Sequence, residues 1–303
     1  MTPVLEVAGR TMPAGQPLLL KAENLQRSGS FKIRGASYCI AQLSREQRER
    51  GVIAYSTGNH AQAVALAAGQ RGISATIVMS ADAPAFKVER TRQYGAHVVW
   101  SEPTSQARRE LAEQLAREQQ LALIPPYDQR EILVGQGTIG LEIIEQSSPS
   151  AVFVPIGGGG LISGIALSIK LSNSSTRVIG VEPEWENDAW QSFARGELVA
   201  LPAASQSIAD AIRVQVLGDL PYAVVRRYVD EIVTVSESQI ASATLDALNE
   251  MHLVLEPAGA VALAAAREYQ GALPAGRPVV ALASGGNTTL AALCSLASAF
   301  PGV

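Results

Sequence analysis

"AVFVPIGGGGLISGIALSIK", residues 151–170, decides how this chain is read. Its first six residues form an apolar run of strand length. Gly157, Gly158, Gly159 and Gly160 follow, and a helical pattern starts at once from Gly160. A tight strand-to-helix turn needs one or two glycines; a run of glycines lets the backbone take positive φ and lets its amides approach a ligand. The helix adds unpaired N–H groups and a partial positive charge, so the stretch predicts a phosphate site. The dinucleotide pattern fails here, because Ser163 stands where its last glycine belongs. The nucleoside-triphosphate loop fails too, because Ile165 follows Gly164 where a lysine is required. A cofactor with one terminal phosphate is the expectation that remains.

Outward from this loop, short apolar runs alternate with longer helical patterns. "GVIAYS" (51–56), "ISATIVMS" (73–80) and "AHVVW" (96–100) read as strands, each followed by a helix, and "LALIPP" closes the series. A second series holds "AVFVPI" (151–156), "TRVIGVEP" (176–183) and, near the C-terminus, "RPVVALASGG" (277–286). Such alternation predicts an α/β chain with two open parallel-sheet lobes and helices on both faces of each sheet. The smaller lobe is placed at residues 51–128, and the larger at 1–50 with 129–303. "SESQ" (236–239) predicts a capping box at the start of a helix. "PAASQS" (202–207) is the candidate mobile connection.

The 303 residues are 47% hydrophobic and 17% charged, with a net charge of −4. A sizeable core is expected, and no basic stripe is available for nucleic acid. No apolar stretch reaches the length needed to span a bilayer, and the N-terminus lacks the pattern of a secretory signal. Cys39 and Cys294 lie far apart with no zinc spacing, which favours a reducing cytoplasm.

Lys32 sits in "SGSFKIRGA" (28–36), among small residues. Alone, it reads as a solvated charge. A phosphate site together with a reactive amine suggests pyridoxal phosphate, whose aldehyde condenses with lysine. "SGSFKIRGA", "STGNHAQAVA" (56–65), "GQGTIGLE" (135–142), "PIGGGGLISG" (155–164), "EPAGAVALAA" (256–265) and "SGGN" (284–287) occur in this order. In these motifs the chain resembles the pyridoxal-phosphate enzymes of the tryptophan-synthase β-like fold, and within them the serine/threonine dehydratase and serine racemase group.

The resemblance implies a cofactor in the cleft between the lobes and a role for each motif. Lys32 is the Schiff-base lysine and the base at the substrate Cα, with Phe31 beside the cofactor ring. Gly157 to Gly160 and the Leu161 amide hold the phosphate. Asn59 bonds the ring hydroxyl, and Ser284 faces the pyridine nitrogen. The turn Ser56, Thr57, Gly58, Asn59, His60 grips the substrate carboxylate. Glu182, the Glu186 carbonyl and Asp188 match the divalent-cation site of racemase-like members, where oxygen ligands suit Mg²⁺ or Ca²⁺; an acidic loop capping the next helix is the plainer reading of "EPEWEND" (182–188). A homodimer is also implied.

The implied activity is elimination of water from a β-hydroxy amino acid such as threonine or serine, giving a 2-oxo acid and ammonia. Racemisation of serine or aspartate, dehydration of 3-hydroxyaspartate, a sulfur-transferring β-replacement and a silent cofactor-binding protein are the alternatives. Two departures bear on the choice. Thr57 stands where dehydratases of the group tend to have alanine and racemases a serine that protonates the opposite face of Cα. Ala211 replaces the usual glycine of "SIADAI" (207–212), and Arg213 beyond it suits an acidic β-substituent. His60 reads as loop architecture, His97 and His252 as structural, and Cys39 as a small buried hydrophobe. The short N-terminus and the end soon after "SGGN" predict an altered subunit contact and no appended regulatory domain.

Overall fold

A computed structural model describes residues 1–11, 15–172, 175–202 and 206–302. Residues 203–205 of the candidate connection at 202–207 therefore lie outside the described residues. In chain order the elements begin with strands β1 (Val4–Thr11) and β2 (Pro17–Ala22) and helices α1 (Lys32–Ala41) and α2 (Arg45–Arg50). Next come β3 (Val52–Tyr55), α3 (Asn59–Gly69), β4 (Ala75–Ser80), α4 (Ala85–Gln93), β5 (His97–Ser101), α5 (Ser105–Gln119) and β6 (Ala122–Leu123). The chain continues through α6 (Arg130–Ser147), β7 (Ala151–Pro155), α7 (Gly160–Leu171), β8 (Arg177–Pro183) and α8 (Asp188–Arg195). It closes with α9 (Asp219–Tyr228), β9 (Glu231–Val235), α10 (Glu237–Asn249), α11 (Pro257–Glu268), β10 (Val279–Ala283) and α12 (Leu290–Ala299). Among the described residues no helix is long and apolar enough to cross a membrane.

Two sheets result. The smaller runs β5-β4-β3-β6 and is parallel throughout. The larger runs β1-β2-β10-β7-β8-β9. It is parallel from β2 to β9, and β1 adds an antiparallel edge through a hairpin with β2. Its central strands are buried on both faces, as parallel strands between helical layers must be; every residue of β7 and β10 is inaccessible.

Each lobe has its own core. Phe153, Ile162, Ile179 and Val280 belong to the larger one. Val52, Ile77, Met79 and Val64 belong to the smaller one, which also takes in Ile33, Ala36, Cys39 and Ile40 from α1. Helix α1 thus packs on the smaller lobe although it precedes that lobe's first strand. The capping box at Ser236 forms as its sequence predicts, with the Gln239 amide donating to the serine hydroxyl and the glutamine side chain taking the Ser236 amide. The parallel strands point their C-terminal ends, and the N-termini of the helices that follow, at the space between the lobes.

Candidate active site

A cavity of about 420 Å³ occupies that space. Phe31, Lys32, Ser56, Thr57, Asn59, His60, Gly157 to Gly160, Leu161 and Ser284 all line it, so motifs spread over the whole chain converge in one place.

The glycine turn forms the floor on the side of the larger lobe. β7 ends at Pro155, and Gly159, at φ +85°, caps α7 in the left-handed region. The close approach of its neighbours explains the rest of the run. A Cβ on Gly158 would lie 2.3 Å from the Tyr127 ring, and one on Gly160 would lie 2.9 Å from the Tyr127 Cβ. The amides of Gly158, Gly159, Gly160 and Leu161 have no acceptor among the described residues. These donors and the end of the helix dipole make an anion cradle.

Lys32 is the first residue of α1, across the cavity from the glycine turn. Its ammonium donates to the Pro126 carbonyl at 2.8 Å and lies 5.2 Å from the centroid of the Phe31 ring. No carboxylate pairs with it among the described residues. Burial without a counter-charge lowers its pKa to about 8. Buried Ser284 donates its hydroxyl to the Ala258 carbonyl at 3.3 Å, while its own carbonyl accepts from the Phe31 amide at 3.0 Å. The last strand of the larger sheet is thereby fastened to the segment that bears Lys32.

On the smaller lobe the turn from β3 to α3 repeats the design. The Gly58 amide donates to the Ser56 hydroxyl at 3.1 Å, and Gly58 precedes the first turn of α3. His60 is buried, and its Nε2 makes a 2.9 Å contact with the Ile124 carbonyl, so that nitrogen carries the proton. Burial and the neighbouring Lys32 charge push its pKa down to about 3. His60 is a neutral fastener between α3 and the end of β6. Thr57 is half-buried on the cavity wall.

Arg213 is exposed, and both Nε and Nη2 of its guanidinium donate to the Ser207 carbonyl. Arg213, Arg109 and Arg108 all line the cavity; Arg109 pairs with Glu113, and Arg108 donates to the Ser105 hydroxyl at 2.9 Å. Arg108 is half-buried and forms no ion pair among the described residues. Burial lowers its pKa against the weaker pull of Asp82. Lys87, Tyr127, Asp210 and Glu256 also line the cavity and escaped sequence reasoning. Buried Lys87 bridges the lobes through a 2.9 Å ion pair with Asp210. Glu256 and Asp210 fall within quoted motifs, yet no local pattern gave any of these residues a role, because each becomes significant through a partner far along the chain.

The acidic segment lies beside the cavity, and of its carboxylates Glu186 reaches the wall. Glu182, Glu186 and Asp188 are all buried. Glu182 caps α8, accepting from the Ala189 amide at 3.1 Å and the Trp190 amide at 2.7 Å. No well-formed hydrogen bond reaches the carboxylate oxygens of Glu186 or Asp188. Burial, then the charge of Asp188, raises the Glu186 pKa to about 7; burial also raises Asp188 to about 7 and Glu182 well above the usual range. Among the described residues no three His, Cys, Asp or Glu side chains close into a metal cluster.

Comparison with known proteins agrees with this geometry. Residues 1–285 match the family model "Pyridoxal-phosphate dependent enzyme". The chain is 41% identical to the L-threo-3-hydroxyaspartate ammonia-lyase of Saccharomyces cerevisiae over 298 residues, covering 98% of this chain and 91% of that one. It is 44% identical to the L-threonine ammonia-lyase of Thermotoga maritima over 274 residues, 90% of this chain and 68% of that one. The solved structure of maize serine racemase superposes with a TM-score of 0.91 at 40% identity, covering 97% of this chain and 90% of that one.

Proposed function

We propose a function from one premise: the chain belongs to the pyridoxal-phosphate-dependent enzyme family. It is a pyridoxal-phosphate-dependent ammonia-lyase that removes water from a β-hydroxy amino acid and releases a 2-oxo acid and ammonia. One observation carries the reading. A desolvated, unpaired amine, Lys32, shares a cavity with a cradle of unpartnered amides and with Ser284.

The residues fit the cofactor. The amides from Gly158 to Leu161 would hold its phosphate, Asn59 its ring hydroxyl, and Ser284 its ring nitrogen. Bound there, pyridoxal phosphate supplies an aldehyde for Lys32 and an electron sink for the substrate Cα. The Ser56–His60 turn holds the substrate carboxylate by backbone amides at the start of α3. An amine with a pKa near 8 is available as a base close to neutral pH, and Lys32 takes the Cα proton. Ser284 brings no negative charge to the ring, which suits elimination, where charge passes to a leaving group. Thr57 presents a hydroxyl from the opposite side, the group a racemase activity would use.

Arg108 favours a second reading in which the β-substituent is acidic, as in 3-hydroxyaspartate. A half-buried guanidinium without an ion-pair partner suits a second substrate carboxylate better than a methyl group. One panel tests both: serine, threonine and 3-hydroxyaspartate isomers, scored for 2-oxo acid and for inverted amino acid. Lys32→Ala abolishes turnover and the visible absorbance of the loaded protein. Turnover that survives this change overturns the assignment.

The cation remains part of the proposal. Glu182, the Glu186 carbonyl and Asp188 would take Mg²⁺ or Ca²⁺, supported by the burial of three neighbouring carboxylates, of which only Glu182 receives well-formed hydrogen bonds among the described residues. A second copy of the chain is the proposed partner. Val134 and Leu141, seven apart on α6, and Tyr38 on the adjoining α1 expose apolar surface of the kind a homodimer covers. A cytoplasmic setting is supported by two free cysteines.

A further inference from the structure

Behind the site a line of side chains runs inward from the surface. Exposed Arg90 on α4 donates to the Asn287 side-chain oxygen at 2.9 Å. The Asn287 amide nitrogen donates to the Ser28 carbonyl at 2.8 Å and to the Asn59 side-chain oxygen at 2.7 Å. Asn59 in turn donates through Nδ2 to Oε1 of Glu256. The direction of each bond fixes the next, so Asn59 is held with its oxygen toward Asn287 and its nitrogen toward Glu256. The other Nδ2 hydrogen has no acceptor among the described residues.

Glu256 is the unusual member. It is 2% exposed, it caps α11 without a side-chain cap bond, and Oε2 has no partner among the described residues. The site is shaped around it: a Cβ on Gly285 would lie 2.3 Å from Oε1 of Glu256 and 3.3 Å from Nδ2 of Asn59. A glutamine would have satisfied Asn59 with no buried charge. A carboxyl group held this way, unpaired on one oxygen and bonded to a site residue on the other, has two states with different consequences for Asn59.

We propose that Glu256 is a positioning residue that acts through Asn59: its carboxyl group sets how strongly the Asn59 amide donates to the cofactor's ring hydroxyl, and so whether that oxygen keeps its proton. The inference rests on the function proposed above. When Glu256 is ionised, one N–H of Asn59 is committed to a full charge and the other is a weaker donor. The nearby negative charge also disfavours a second anion. The ring oxygen then keeps its proton. When Glu256 is protonated, Asn59 donates more strongly and the ionised ring oxygen is favoured. The groups facing the carboxyl are Asn59 from α3, Lys87 from α4 and Asp210 from the 3-10 turn Asp210–Ile212. Burial is the largest influence and raises the pKa to about 7, with Lys87 pulling it down and Asp210 pushing it up. The change of state thus falls near neutral pH.

The test is absorbance of the cofactor-loaded protein without substrate. A protonated ring oxygen absorbs in the near ultraviolet and an ionised one in the visible. Between about pH 6 and about pH 8 the near-ultraviolet band should gain on the visible band by roughly threefold or more, with a midpoint near that of Glu256. Glu256→Gln should load cofactor, hold the visible form and show no titration. Glu256→Asp keeps the charge, so its titration persists. A Glu256→Gln protein that titrates like the parent overturns the inference, as does a parent whose bands do not change with pH. If no Lys32-dependent band forms at all, the proposed function fails instead.

Discussion

β7 and β8 are neighbours in the larger sheet, run parallel, and each ends at the start of a helix. The two turns have opposite polarity. Among the described residues, the glycine amides after β7 have no acceptor, and the buried carboxylates of Glu186 and Asp188 after β8 receive no well-formed hydrogen bond. The first makes its charge from the backbone, which does not titrate. The second makes it from side chains, whose charge depends on pH and on a counter-ion. The cradle for the cofactor's phosphate is thus built from the part of the chain that cannot change state. The acidic turn proposed to take a cation is built from the part that can.

The largest expected effect breaks the first turn. Gly158→Ala drives a methyl into the Tyr127 ring, where 2.3 Å is available. Overpacking of this kind costs about 1–3 kcal/mol, or roughly 5- to 150-fold in cofactor affinity, read by titrating the apoprotein and following visible absorbance. Adding Tyr127→Ala should recover much of the loss. Normal binding by Gly158→Ala alone would mean that the turn is not held as tightly as its contacts imply.

The second turn is tested by cation. A divalent ion at 100 times its dissociation constant stabilises by about 2.7 kcal/mol. For a chain of this size that raises the melting temperature by about 5 °C. A chelator reverses the rise, and Asp188→Asn removes the response. No response in the parent leaves the acidic turn as the cap of α8 alone.

The amine that faces the glycine turn does titrate, so capture of the cofactor should depend on pH even though the cradle does not. With a pKa of about 8, Lys32 is mostly cationic at pH 7 and mostly neutral at pH 9. The neutral form attacks the aldehyde, so the rate at which the visible band develops should rise by about tenfold across that interval. A flat profile would show that this amine does not govern capture.

The smallest effect is expected on the third turn, after β3. Ser56→Ala removes one hydrogen bond, 3.1 Å from the Gly58 amide. A net bond of this kind contributes about 1 kcal/mol, which corresponds to about fivefold in KM with cofactor affinity unchanged. A loss of cofactor affinity instead would mean that the two anion turns are coupled.

These turns were the most legible parts of the chain, because strand, glycine and helix signals lie within a dozen residues. The alternation of strands and helices was equally local. Harder to read was α1: "SGSF" looks like a loop, yet a helix begins at Lys32 itself. The β1–β2 hairpin and β9 carry weak patterns at the sheet edges. Arg213 lines the cavity as its place in the sequence suggests, with its guanidinium on the Ser207 carbonyl, while Arg108, which lines the same cavity without an ion-pair partner among the described residues, carries no local signal. Glu256 and Asn59 are 197 residues apart, and Lys87 and Asp210 are 123 apart. No local pattern encodes pairs like these; they exist only once the lobes are assembled.

The strand pairing has a consequence for synthesis. Every strand of the smaller sheet lies between residues 52 and 123, so its pairing is complete early in translation. In the larger sheet β2 pairs with β10, Leu18 opposite Val279 and Ala22 opposite Ala283. That pairing waits for almost the whole chain to leave the ribosome, and long-range pairings of this kind form slowly. The same pairing brings Ser284 to Phe31 and Lys32. A nascent chain therefore carries one finished lobe and an exposed, half-built sheet, and it has no complete cofactor pocket until its last strand arrives.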